Sequence, residues 1–274
     1  MRGLAKPLQG FLLSRVRIPP SPQDAADIRD VDTAELAWAA GVYDGEGSAS
    51  TYLPKRRKSR VRQMAVYQRG EGAPPPLLFR FQAAVEGVGL IHGPSRGYLY
   101  QWHSKRHVIV DAVSELLWPW LSEAKRSQLR QAASDVNRAT PNIADSGWSN
   151  DELAAWAAGF FDGEGTIGAY GDARRPAVSM SLAQASDAGV PDTLERFRLA
   201  VGAGEIYGPR TVPSPWSKLP QYRWQVHRFA EVERVVALLR PYADVVKVGR
   251  MDACLDHVRE MRARRDLVTQ RSQH

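Results

Sequence analysis

The chain has 274 residues, 43% of them hydrophobic and eight of them tryptophan, so it is long and apolar enough to bury a sizeable core. Its sequence holds no run of about 18 apolar residues that would cross a bilayer, so no membrane partner is expected. The single cysteine, Cys254, excludes an internal disulfide framework and points to a reducing, cytoplasmic compartment, while a net charge of +7 favours a polyanionic partner.

Residues 1–30 carry no periodic pattern and read as a disordered leader. The first folded segment, 31–134, opens with a helix over 33–44 that Thr33 caps and that Gly45 and Gly47 stop. Strands follow at 48–54 and 60–68, joined by a basic hairpin at 55–59. Pro74, Pro75 and Pro76 start a helix that runs to about residue 87. Two shorter strands lie near 89–93 and 98–103, and Pro119 separates helices at 108–118 and 121–135. A polar linker occupies 135–150. The second segment, 151–266, repeats the order, with helices near 151–161, 190–201, 228–239 and 242–264 and four strands between them. Residues 267–274 read as a flexible tail.

The two segments are one architecture written twice. Residues 38–47 and 156–165 differ at only two places, where Val42 and Tyr43 become Phe160 and Phe161. Further along, Met64 and Gln68 answer Met180 and Gln184, Phe81 answers Phe197, and Ile91 answers Ile206. Trp102, Pro119 and Lys125 answer Trp224, Pro241 and Lys247. The order never scrambles, as duplication requires.

Within each opening helix small residues recur every fourth position: Ala37, Gly41 and Gly45, then Ala155, Gly159 and Gly163. They share one face and let two helix backbones approach closely. A helical glycine costs about 0.5–1 kcal/mol relative to alanine, so the glycines call for such a packing reason. A helix pair on a pseudo-twofold axis then brings Glu46 and Glu164 together at helix C-termini, where the dipole and mutual repulsion both disfavour them. A hard divalent cation would relieve both penalties and could act on a phosphodiester. Asp44 and Asp162 read instead as structural acceptors of backbone hydrogen bonds.

This duplicated motif and its spacing resemble the LAGLIDADG homing endonuclease family in its single-chain, two-repeat form, over residues 33–265. The resemblance implies an α+β fold of two pseudo-twofold αββαββα repeats. These form an antiparallel β-saddle with the motif helices at the central interface. It also implies a monomeric enzyme that hydrolyses one phosphodiester on each strand of a long double-stranded DNA target, with Mg²⁺ (or Mn²⁺) as cofactor. Carried over by position, the metal-binding acids fall on Glu46 and Glu164, in place of the Asp that is usual there. The solvent-ordering polar residues fall on Gln68 and Gln184, and the basic residues that stabilise charge on Lys125 and Lys247.

The basic hairpins supply candidates for DNA contact: Lys55, Arg56, Arg57, Lys58, Arg60 and Arg62 in the first repeat, and Arg174 and Arg175 in the second. For each, a phosphate contact is favoured over base readout. Two other readings stay open on the same scaffold, an intron RNA splicing maturase and a non-catalytic DNA-binding regulator.

Overall fold

The computed structural model describes residues 32–271, except 56–57, 144–146, 173 and 212–218. The expected leader and the hairpin residues Arg56 and Arg57 therefore lie outside the described residues. The first repeat runs α1 (Thr33–Glu46), β1 (Gly47–Tyr52), β2 (Val61–Arg69), α2 (Pro76–Ala84), β3 (Leu90–Ser95), β4 (Leu99–Ser104), α3 (His107–Leu117) and α4 (Glu123–Ser134). The second runs α5 (Asn150–Glu164), β5 (Thr166–Tyr170), β6 (Ala177–Ala185), α6 (Asp192–Val201), β7 (Glu205–Arg210), β8 (Gln221–Val226), α7 (Phe229–Leu239) and α8 (Val245–Arg271). The fold is α+β, and both copies follow the order expected from sequence.

Each repeat builds one four-stranded antiparallel sheet, in the orders β1-β2-β4-β3 and β5-β6-β8-β7. Alternation sets the two faces of each sheet. Met64, Val66 and Trp102 in the first sheet, and Met180, Leu182 and Trp224 in the second, point into the core. Both tryptophans also donate their indole N–H to a backbone carbonyl, of Val88 and of Ala203. Ser50, Gln63, Tyr67, Gln101 and His103 lie on the opposite face of the first sheet, and Ser179, Ser181, Arg223 and Gln225 on that of the second.

The helices cover the inner faces, and one hydrophobic core runs through both repeats, including Trp38, Phe81 and Trp102 of the first and Trp156, Phe197 and Trp224 of the second. Its centre is the pair α1 and α5. A Cβ added to Gly41 would sit 2.0 Å from the Trp156 carbonyl oxygen, and one added to Gly159 would sit 1.9 Å from that of Trp38. Only glycine allows this approach of backbone to backbone.

Helix ends differ from expectation in informative ways. Ser122 caps α4, accepting from the Lys125 N–H, so that helix starts after residue 121. Asp244 does the same for α8, accepting from the Val246 N–H at 2.9 Å. At its far end α8 continues to Arg271, past residue 264 and through the first part of the expected tail. Residues 265–271 hold neither Gly nor Pro, so nothing in them breaks a helix. Ser149 and Glu152 close a capping box at the start of α5.

Candidate functional site

The site forms where α1 and α5 end side by side. Each helix runs directly into the first strand of its sheet, which fixes Glu46 and Glu164 at the junction. The glutamates cross over: the Glu164 stem packs on Gly45, where an added Cβ would meet its Cγ at 2.9 Å, and the Glu46 stem packs on Gly163 at 3.1 Å. Those two glycines leave the space through which each glutamate reaches the partner helix. Burial, then repulsion from Glu164, lifts the Glu46 carboxyl to about 8. Burial raises Glu164 as well, against the pull of Lys125 and Lys247.

Both lysines reach this junction from the helices that follow the second strand pair. The Lys125 ammonium donates to the Gly47 carbonyl, and that of Lys247 donates to the Gly165 carbonyl at 2.7 Å. Burial pulls both lysines below the ordinary range, and the nearby carboxylates hold them up. They are half-buried members of the junction, not solvated helix residues.

The glutamines part company. Gln68 donates to the Glu46 carboxylate at 3.2 Å. Gln184 instead accepts from the Thr193 hydroxyl at 3.1 Å, which ties it to the start of α6. The structure therefore brings Glu46, Glu164, Gln68, Lys125 and Lys247 into one constellation and leaves Gln184 bound at its edge.

Asp44 and Asp162 are buried beneath the glutamates and hold the repeats together. Asp44 accepts from the Ser122 backbone N–H at 3.0 Å, the Ser122 hydroxyl at 2.7 Å and the Trp156 indole at 2.9 Å. Asp162 accepts from the Asp244 N–H at 2.7 Å and the Trp38 indole at 2.8 Å, but its Oδ1 has no donor. Each tryptophan thus completes the aspartate of the other repeat. Burial raises both acids, Asp162 to about 6.

A pair of arginines repeats the exchange. Arg80 stacks 3.8 Å above the Trp38 ring and donates to the Tyr242 carbonyl of the other repeat at 2.7 Å. Arg196 lies 4.9 Å from the Trp156 ring and donates across to the Trp120 carbonyl at 3.1 Å. Trp38, Trp156, Arg80, Arg196 and Ser122 were not singled out as site residues from sequence. The recurrence of Trp six positions before Asp in both copies, and of Arg before Phe81 and Phe197, is the signal that could have found them.

Of the hairpin residues, Lys55, Lys58, Arg60, Arg174 and Arg175 are exposed around the strand turns. Arg60 donates to the Thr51 hydroxyl at 3.2 Å. Arg62 is a correction: it is 2% exposed and paired with Asp111 of α3, so it cannot meet DNA from the open face. It shares the inward parity of Met64 and Val66, and its charge is neutralised inside. A candidate set for the open face lies instead in the strands, at Gln63, Tyr67, Gln101, His103, Arg223 and Gln225.

Among the described residues no group of three or more His, Cys, Asp or Glu side chains could hold a metal. Two carboxylates do converge, and Mg²⁺ characteristically binds through one or two carboxylates together with substrate phosphates. The donor set is all oxygen, with the Gln68 side chain beside it, and its acids are half-buried and mutually repelling. These residues fit a hard divalent cation that a phosphate helps to hold.

No family model and no curated protein matches the chain. Solved structures match most of its length at low identity. The LAGLIDADG meganuclease I-AabMI bound to uncleaved DNA has a TM-score of 0.61 at 15% identity, covering 84% of this chain and 92% of that one. The LAGLIDADG homing endonuclease I-GzeII in complex with its DNA target has a TM-score of 0.55 at 13% identity, covering 84% and 91%. I-SmaMI bound to an uncleaved DNA target with calcium ions has a TM-score of 0.53 at 15% identity, covering 87% and 92%.

Proposed function

We propose that this chain, which has the saddle fold of the LAGLIDADG homing endonucleases, is a sequence-specific double-strand DNA endonuclease that depends on a divalent metal. The observation that carries the reading is the crossing of Glu46 and Glu164 between the tips of α1 and α5. Two half-buried acids are held against each other there although burial and repulsion both oppose their charge. A purely structural junction gains nothing from that cost.

Glu46 and Glu164 would hold Mg²⁺ or Mn²⁺. When bound, the metal supplies Lewis-acid polarisation of the scissile phosphate and acidifies adjacent water. The chain's own groups do the rest. Gln68, fixed on Glu46, orients solvent beside the first carboxylate. Lys125 and Lys247, anchored on the carbonyls that follow the glutamates, place positive charge where the phosphate gains negative charge. The exposed hairpin residues Lys55, Lys58, Arg60, Arg174 and Arg175 hold the DNA backbone. One phosphodiester on each strand is cut, and the protein acts as a monomer because both repeats reside in one chain.

The test is a cleavage selection on a library of randomised duplexes, with Mg²⁺ present or replaced by Ca²⁺. Defined double-strand breaks that need Mg²⁺ are expected. Glu46→Gln is expected to abolish them while retaining salt-sensitive binding. Linear product from Glu46→Gln would overturn the mechanism. Binding by the unaltered protein without any cutting would move the assignment to a maturase or a regulator.

A further inference from the structure

The open faces of the two sheets match in register but not in chemistry. Counting from Trp102 and Trp224, Gln101 in β4 occupies the place of Arg223 in β8. Both are interior strands of their sheets. Gln101 is half-buried between Tyr67 of β2 and His92 of β3. Arg223 pairs with Ala183 of β6 and Tyr207 of β7 and is exposed. Alanine in place of Tyr67 leaves the arginine standing above its neighbour on that side.

Charge pairing does not tie it down. Glu205, two residues along β7 from Tyr207, accepts the Tyr207 phenol at 3.0 Å. Among the described residues Arg223 has no hydrogen-bond or ion-pair partner. An unpaired guanidinium at the centre of an open sheet is positioned differently from the hairpin cations. The hairpins lie at strand ends, where groove walls of phosphate would pass. A central strand faces the groove floor, where base edges are displayed.

The two side chains carry different hydrogen-bond codes. Arginine offers parallel donors that match O6 and N7 of guanine, whereas the glutamine amide offers one donor and one acceptor that match N7 and N6 of adenine. We propose that Arg223 reads a guanine in one half-site and Gln101 reads an adenine at the equivalent place in the other. The inference rests on the DNA-binding reading above. It makes the target unsymmetrical at a defined pair of positions.

The test uses the full chain, Ca²⁺ in place of Mg²⁺, and a library of randomised duplexes recovered by retention and sequenced. The unaltered protein is expected to enrich guanine about tenfold at one position of one half-site. Arg223→Gln should move that position to adenine and leave the others unchanged. Gln101→Arg should move the related position of the other half-site from adenine to guanine. If Arg223→Gln weakens retention while every position of the consensus stays the same, Arg223 is a phosphate contact and the inference is wrong, with DNA binding intact. If the unaltered protein enriches no sequence at all, the DNA reading itself fails and takes the inference with it.

Discussion

Around the paired acids, the first repeat supplies two hydrogen bonds that the second does not match. Asp44 receives a hydroxyl from Ser122, but the matching residue in the second repeat is Asp244, which has no hydroxyl to give, and Asp162 Oδ1 stays without a donor. Gln68 reaches Glu46, while Gln184 is held by Thr193. Where the helix backbones touch, the copies are nearly interchangeable: a Cβ added to Gly41 or to Gly159 would meet the opposite carbonyl oxygen at 2.0 or 1.9 Å. Symmetry is kept where a single added carbon would separate the repeats and relaxed where side chains finish the site. The two halves of the junction are therefore not equal, and substitutions can measure the inequality.

The largest effect tests what is shared. Gly41→Ala and Gly159→Ala each drive a Cβ into a backbone carbonyl, so each should cost more than the roughly 1–3 kcal/mol of ordinary overpacking. Gly163→Ala meets only the flexible Glu46 stem and should cost less. Urea denaturation of the three variants gives the ranking, and equal stability of Gly41→Ala and the unaltered protein would break the symmetry argument.

Next comes the pH dependence that Asp162 carries in the second repeat. The Asp162 carboxyl rises from 3.8 to about 6 because it is buried with an open lone pair and the Asp244 charge beside it. The folded state thus holds that proton more tightly than the unfolded state. Its contribution is complete below about pH 4 and is lost as pH rises through 6, a change of about 3 kcal/mol. Metal-free protein compared with Asp162→Asn by denaturation at pH 4 and pH 7 should show that difference. No difference would mean that Asp162 is satisfied in solution.

Smaller effects sharpen the comparison directly. Asp244→Ser gives the second repeat the hydroxyl that Ser122 gives the first, and should add about 1 kcal/mol to thermal stability. Ser122→Ala should remove a similar amount. In cleavage, Gln68→Ala should slow strand scission about tenfold, as loss of an outer-shell ligand partner does, and Gln184→Ala should slow it less. Equal slowing would show that Gln184 leaves Thr193 when DNA binds. Strand-resolved gels on the selected target report both rates.

Much of this arrangement was legible in the sequence because it is local. The glycine spacing of α1 and α5, the strand pairs and the places of Glu46 and Glu164 follow from repeat and periodicity, whereas Lys125 and Lys247 follow only from the family resemblance. What was not legible depends on contacts between distant residues. Nothing near Trp38 says that its indole ends on Asp162, and nothing near Gln184 says that Thr193 will claim it. Arg62 was misread for a different reason: the run of basic residues around it outweighed its strand parity, which it shares with the buried Met64. The open-face residues Gln101 and Arg223 are each flanked by a tyrosine and a tryptophan, and those aromatic residues mark the core side of the strand.

The exchange of tryptophans has a bearing on ancestry. Trp38 serves the aspartate of the second copy and Trp156 that of the first, with Arg80 and Arg196 crossing in the same way. In a half-length forebear, two identical chains meeting about a true twofold axis would have made every one of these bonds already, each chain lending its indole to its twin. Joining two such chains would require a connecting segment and no new contact. Joined copies are free to differ in their sheets and hairpins, whereas a change at a tryptophan or aspartate is felt in the opposite copy.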